Sequence, residues 1–349
     1  MSKFIIRLCS IFSLTTLCYI LFVGSIILYF NAPNFYHKTD KRFIIDSGMT
    51  LREVVYKLHE EKIVSHPEIF LYVGQLIKGI DPKVRYGEYF FQKNISYYKI
   101  LHNMIRGNIF FRKITVAEGL SNHSAIQEIN NAHGLIGELP ENIKEGDLLP
   151  ETYFYSYNDT KASIVRRMQD QMTKTIDDLW QNRNKNLPIR TKQQAIILAS
   201  IVEKETGADH ERAKIASVFI NRLNKGMKLQ SDPTIIYSYA KGNRDLEREI
   251  RISDIRNKSI FNTYNIYGLP PTPICNPGRA SIEAVLNPIK TDYLYFVADA
   301  KSGHFFAKNL RDHNRNVAKY RKLLREQKQR LKELEAQKEQ QKQQEILDS

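Results

Sequence analysis

The segment Ala199-Ser-Ile-Val-Glu-Lys-Glu-Thr-Gly207 places two carboxylates near the end of an otherwise apolar helical pattern. An acid on such a surface is costly to keep, and groups of this kind collect where proton-transfer chemistry is done. Leu198, Val202 and Glu205 fall at i, i+4 and i+7, and Ile197, Ile201 and Glu205 at i, i+4 and i+8, so Glu205 extends the apolar stripe and is expected to point inward. Glu203 stands two positions earlier, roughly 200° around the helix, so the two acids do not serve one reacting atom. Desolvation of the inward acid favours its protonated form and suits it to general acid work near neutral pH. Helical phase leaves a second reading open, in which Glu205 caps locally or pairs with Arg212 or Lys214.

Three polar, loop-forming stretches follow: Leu229-Gln-Ser-Asp-Pro-Thr234, Phe261-Asn-Thr-Tyr-Asn-Ile-Tyr-Gly-Leu-Pro-Pro271 and Asn276-Pro-Gly278. Tyr264 and Tyr267 offer flat faces for sugar rings, while Gln230, Asp232, Asn262 and Asn265 offer directional contacts to hydroxyls and amides. Together these loops are expected to line a cleft. Each residue also has a structural reading, and Asp232 before Pro233 is a good turn initiator.

The elements that must position these groups read as an α+β chain. Thr191 to Thr206 forms the helix that carries Glu205, flanked by an amphipathic helix from Ser163 to Trp180 and another from Glu211 to Leu223. Upstream, Phe110 to Ala117 alternates as a strand and Ser121 caps the next helix. The aromatic run Leu148 to Tyr155 fits either a groove wall or core. Further upstream, Phe43 to Leu58 reads as strand, turn and helix, with Thr50 and Glu53 forming a capping box. Helices from His66 to Ile77 and Ser96 to Ile105, and a strand from Val84 to Phe91 interrupted at Gly87, complete a small module. Through Asp46-Ser-Gly-Met-Thr-Leu51 this module, at 40–109, resembles LysM-like carbohydrate-binding units; the same motif also describes an ordinary strand-turn-helix entry, which leaves a small spacer domain with no ligand as the other reading.

The ends of the 349-residue chain differ in character from its middle. Leu8 to Phe30 is an apolar run long enough to span a bilayer, with no charged residue between Arg7 and Lys38. Lys3 and Arg7 precede it, so residues 1–7 are expected in the cytoplasm and everything after the anchor on the far side. From about Arg311 the chain is rich in Lys, Arg, Glu and Gln, and 321–349 reads as a solvated helical tail. The formal charge of +14 suits phospholipid headgroups or an acidic cell wall. Nucleic-acid motifs are absent, so that partner is set aside. Cys9 and Cys18 lie in or beside the apolar run and leave Cys275 alone beyond it, and the nine histidines show no metal-ligand spacing, so no metal or cofactor is expected.

The order of the blocks Ala199 to Thr206, Ile215-Ala-Ser-Val-Phe-Ile-Asn-Arg-Leu223, Leu229 to Thr234, Asn262-Thr-Tyr264, Gly268-Leu-Pro-Pro271 and Tyr293-Leu-Tyr-Phe-Val-Ala-Asp299 resembles the YceG-like family of endolytic murein transglycosylases (MltG). Glu118-Gly119, Gly303-His-Phe-Phe306, Asn309 and His313-Asn314 fit the same pattern. The resemblance implies a catalytic region at 110–320, a bacterial inner-membrane enzyme with its catalytic part outside, and cleavage within nascent peptidoglycan strands, coupled to cell-wall synthases. By position it puts the family's catalytic glutamate on Glu205. A glycosidase generally needs two carboxylates; a lytic transglycosylase needs one, because the sugar's own C6 hydroxyl attacks the anomeric carbon and leaves a 1,6-anhydromuramic end. Two rivals stand beside this reading: a membrane-tethered wall-binding scaffold without activity, and a muramidase that admits water and uses Asp232 as second carboxylate.

Overall fold

The computed structural model describes residues 2–78, 83–205, 209–240 and 248–347. Two compact units divide the chain. The first comprises 1–113 with the short pieces 134–136 and 154–159; the second comprises 114–133, 137–153 and 160–349. Helices dominate, and the strands form three two-stranded sheets, so the chain is α+β as expected.

The first unit opens with helix α1, Ser2–Asn31, whose segment Ile11–Asn31 has mean hydropathy 2.3 and no burial inside the protein fold across its apolar window. Twenty-one residues at about 1.5 Å each match a hydrocarbon layer of about 30 Å. The helix is thus compatible with a single-pass membrane anchor. Its last turn differs from the expected lipid-facing run. Phe30 is 2% exposed and packs on Phe70 and Tyr97, with ring centroids 5.4 and 5.8 Å away, so it belongs to the core of the unit.

That core lies between strand β1 (Lys41–Ile45), helices α2 (Leu51–Glu60) and α3 (Pro67–Lys78), strand β2 (Gly87–Phe91) and helix α4 (Tyr97–Arg106). The two strands pair antiparallel, Phe43 opposite Tyr89 and Lys41 opposite Phe91. Thr50 and Glu53 form the capping box read from sequence, the Glu53 carboxylate accepting from the Thr50 N–H at 2.7 Å. Gly87 begins β2 rather than interrupting a longer strand. Its φ of +137° lies outside the reach of other residues, and an added Cβ would meet Ile109 at 2.8 Å.

The second unit is built around helix α7, Lys192–Glu205. Every residue from Ala195 to Val202 is buried, because α6 (Lys161–Gln181), α8 (Arg212–Asn224), α9 (Asp232–Ala240) and α11 (Arg279–Leu286) pack around it. The helix is therefore enclosed on all faces, a wider burial than one stripe. Thr206 and Gly207, included in the sequence reading of this segment, lie outside the described residues.

The remaining elements are strands β3 (Arg112–Thr115) and β4 (Thr152–Tyr155), helices α5 (Asn122–Asn131) and α10 (Ile252–Ile255), and the β5–β6 hairpin (Tyr295–Ala298, His304–Ala307). Helix α12, Leu310–Leu347, packs its first part on that hairpin and runs through position 320 without a break. One loop reading changes: Asp232-Pro233 opens helix α9, where proline's missing N–H costs nothing. Of the two readings open for the aromatic run, Tyr153 and Tyr155 take the core one, while Phe154 is exposed.

Candidate active site

Glu205 is the last residue of α7, beyond the buried stretch Ala195 to Val202. Its Oε1 accepts a hydrogen bond from Ser231 Oγ at 2.5 Å. Burial dominates its titration and pushes the carboxyl up to about 7, with the Asp232 charge adding to the rise while Ser231 and Arg222 oppose it. A glutamic acid so placed is about half protonated at neutral pH and has a partner that holds its orientation.

The local-pairing reading falls to the other acid. Glu203 has 6% of its side chain exposed, accepts from the Gly278 N–H at 2.8 Å and faces Arg212 at 3.7 Å. It thereby caps the start of α11 with a negative charge, where the helix dipole favours one. Arg212 also reaches Glu118 at 3.8 Å. Lys214 stands over the ring of Phe306 instead of near Glu205.

Arg222, in the last turn of α8, organises the loop beneath Glu205. It is buried, and its Nε and Nη1 donate to the carbonyls of Leu294 at 2.6 Å and Leu229 at 2.7 Å, while its guanidinium lies 5.2 Å from the centre of the Tyr295 ring. Gln230 sits in the left-handed region with φ 51°, its N–H bonded to Thr263 O at 3.1 Å, and its Oε1 accepts from Arg222 at 3.5 Å. Ser231 N–H donates to Thr263 Oγ1 at 2.9 Å, which fixes the hydroxyl that meets Glu205. Tyr264 Oη donates to Asp232 Oδ1 at 2.7 Å. Burial first, and then the Asp232 and Glu205 charges, raise the Tyr264 phenol above its ordinary range.

The structure thus brings Glu205, Gln230, Asp232 and Tyr264 into one neighbourhood. Tyr267 lies on the same loop, 73% exposed, with Lys228 5.1 Å above its ring. Asn262 does not join them as an available donor. It is 0% exposed, its amide donates to the carbonyls of Ile255 and Asn257, and its Oδ1 accepts from the Tyr264 N–H. Asn265 spends its amide on the same two carbonyls. Both asparagines shape the loop that presents Tyr264 and Tyr267.

Among the described residues no group of three or more His, Cys, Asp or Glu side chains is placed to hold a metal ion. Sequence reasoning misses two partners of Glu205 and one buried acid elsewhere in the unit. Ser231 and Arg222 stand inside the quoted blocks, but nothing in their local pattern marks them as partners of Glu205. Glu145 was passed over altogether. Burial pushes its carboxyl up to about 7, against bonds from the Asn122 N–H at 2.7 Å and Tyr237 Oη at 3.2 Å.

The family model described as the YceG-like family matches residues 43–319. The chain belongs to the YceG-like family. It is 38% identical over 183 residues to the endolytic murein transglycosylase of Bacillus subtilis (strain 168), a match covering 52% of this chain and 49% of that protein. It is 29% identical over 322 residues to the endolytic murein transglycosylase of Streptococcus pneumoniae serotype 2 (strain D39 / NCTC 7466), covering 79% of this chain and 57% of the relative. The chain thus spans about half the length of these curated relatives. A crystal structure of a YceG-like protein from Listeria monocytogenes is similar at 28% identity over 80% of this chain and 99% of that one, with a TM-score of 0.47.

Proposed function

We propose that this chain is a membrane-anchored lytic transglycosylase that cleaves within nascent peptidoglycan strands, with Glu205 as its single general acid/base. The observation that carries this is the carboxyl of Glu205, raised to about 7 by burial and held by Ser231 at the mouth of polar loops. The relatives named endolytic murein transglycosylases support the substrate class.

In this reading protonated Glu205 donates its proton to the glycosidic oxygen as the C–O bond to the muramic sugar breaks. Positive charge then develops at the anomeric carbon, and the Asp232 and Glu205 carboxylates lie where they oppose it. The C6 hydroxyl of the same sugar attacks that carbon, and Glu205 takes the hydroxyl proton, which restores the acid and leaves an anhydro end. Because the nucleophile is already part of the substrate, no second reactant has to be captured. Gln230, Tyr264 and exposed Tyr267 contact the glycan, and release of growing strands from their synthases would follow from cleavage at the membrane surface. In the same reading α1 is the anchor and the catalytic unit works on the outer side of the inner membrane, with the β1–α2–α3–β2 module as a spacer between them.

The nearness of Asp232 favours a second reading, a muramidase in which Asp232 directs water. Mass analysis of products from uncrosslinked nascent glycan separates the two. Anhydro ends that vanish in Glu205→Gln are expected. Reducing ends select the muramidase, and anhydro ends that persist in the variant refute the role of Glu205. No product from the intact protein selects the scaffold.

A further inference from the structure

A cavity of about 410 Å³ lies in the first unit, where α1 ends. Its walls include Asn31, the last residue of the membrane-length span, and Pro33, together with Lys93, Asn94, Lys99 and Asn103 from the β2–α4 turn and α4. The two stretches are strapped together. Asn34 N–H donates to Asn94 O at 3.1 Å, Asn94 N–H donates to His37 O at 2.9 Å, and buried His37 meets Phe91 O through Nε2 at 3.2 Å. Asn94 takes a left-handed φ of 60° to make this turn, a conformation that asparagine tolerates better than most residues. The pocket is therefore fixed relative to the helix that leaves the membrane.

Its charge is one-sided. Lys93 and Lys99 line it, and no acidic side chain does. Asp40, outside the lining, accepts from the backbone N–H of Lys93 at 2.8 Å. Among the described residues neither lysine ammonium has an ion-pair or hydrogen-bond partner. Two unpaired cations beside amides, at the depth where the apolar span of α1 stops, match a phosphodiester better than a neutral sugar.

We infer that this pocket binds the phosphate of an anionic membrane lipid headgroup, with Lys93 and Lys99 as its counterions. The inference rests on the reading of α1 as a membrane anchor. Bound lipid would fix the rotation and height of the first unit above the bilayer, beyond what one helix can do.

The test uses the full-length chain in phosphatidylcholine nanodiscs, titrated with dioctanoyl phosphatidylglycerol and read by native mass spectrometry. One retained phosphatidylglycerol is expected, with about thirtyfold weaker retention in K93A/K99A, from two surface lysines at a few-fold each. K93R/K99R should retain it, as should the charge-matched control R52A/K83A. Equal retention by wild type and K93A/K99A, or equal loss in R52A/K83A, overturns the proposal. Displacement by millimolar inorganic phosphate alone reassigns the pocket to free phosphate, and lysine-dependent binding of a neutral chitin oligomer reassigns it to glycan; either overturns the lipid. Flotation with phosphatidylcholine vesicles reads the anchor separately. A chain that does not float overturns both readings, whereas one that floats without headgroup selectivity overturns the pocket alone.

Discussion

Glu205→Gln should stabilise the folded protein at alkaline pH while removing its activity. The side chains match in shape, and the Gln carbonyl still accepts from Ser231 Oγ, so what changes is the ionisable proton. A carboxyl that titrates near 4.5 when unfolded and at about 7 when folded carries about 3 kcal/mol of ionisation penalty in the native state. The folded protein binds more protons than the unfolded chain between those values, so this penalty is absent below about 4.5, grows as pH rises, and is complete above about 7. Glutamine never carries it. The variant should therefore match wild type near pH 4.5 and exceed it by about 3 kcal/mol near pH 8, roughly 6–12 °C in melting temperature for a unit of this size. Thermal unfolding of both proteins in one detergent across that range measures the difference of differences, which cancels Glu145 and every other shared group. A gap that does not widen between pH 5 and 8 would refute a raised Glu205, and with it the reason this residue acts as an acid.

Other consequences follow from the same geometry. Ser231→Ala removes the bond that holds the Glu205 carboxyl down, so the falling alkaline limb of kcat/KM should move to higher pH; a limb that stays in place counts against the contact. Arg222→Met leaves the Leu294 and Leu229 carbonyls without their buried donor and should cost about 3–5 kcal/mol in denaturant unfolding. In Gly278→Ala the new Cβ would fall on the Glu118 carboxylate, so Glu118 must move and the unit should lose about 1–3 kcal/mol, although the φ of −72° suits alanine. Tyr267→Ala should leave melting within about 0.5 kcal/mol and raise KM, because the ring is open to solvent, whereas Asn262→Ala should unfold the loop and lower stability first.

Local patterns were legible wherever the physics is local. The Thr50 capping box, the Ser121 cap of α5 and the apolar span of α1 each depend on residues within a few positions of one another, and each stands where the spacing puts it. The phase of α7 correctly separated its two acids, because helical geometry turns Glu203 away from Glu205 whatever surrounds them. Sequence could not say what each would meet. Polar loop residues look alike before folding, and only packing decided that Asn262 closes its own loop while Tyr267 stays open. Glu145 stands in an unremarkable Lys-Glu-Gly stretch, and its raised carboxyl arises from burial beside Asn122 and Tyr237, 23 and 92 positions away.

The amino-acid order alone determined the capped helices, the apolar helix at the front and the phase that parts the two acids of α7, since caps, helix period and span length are properties of short segments. The tertiary structure decided which groups surround that acid. Ser231, Asp232 and Arg222 act on Glu205 through space, and desolvation, the largest influence on its proton, exists only once α7 is enclosed by its neighbours.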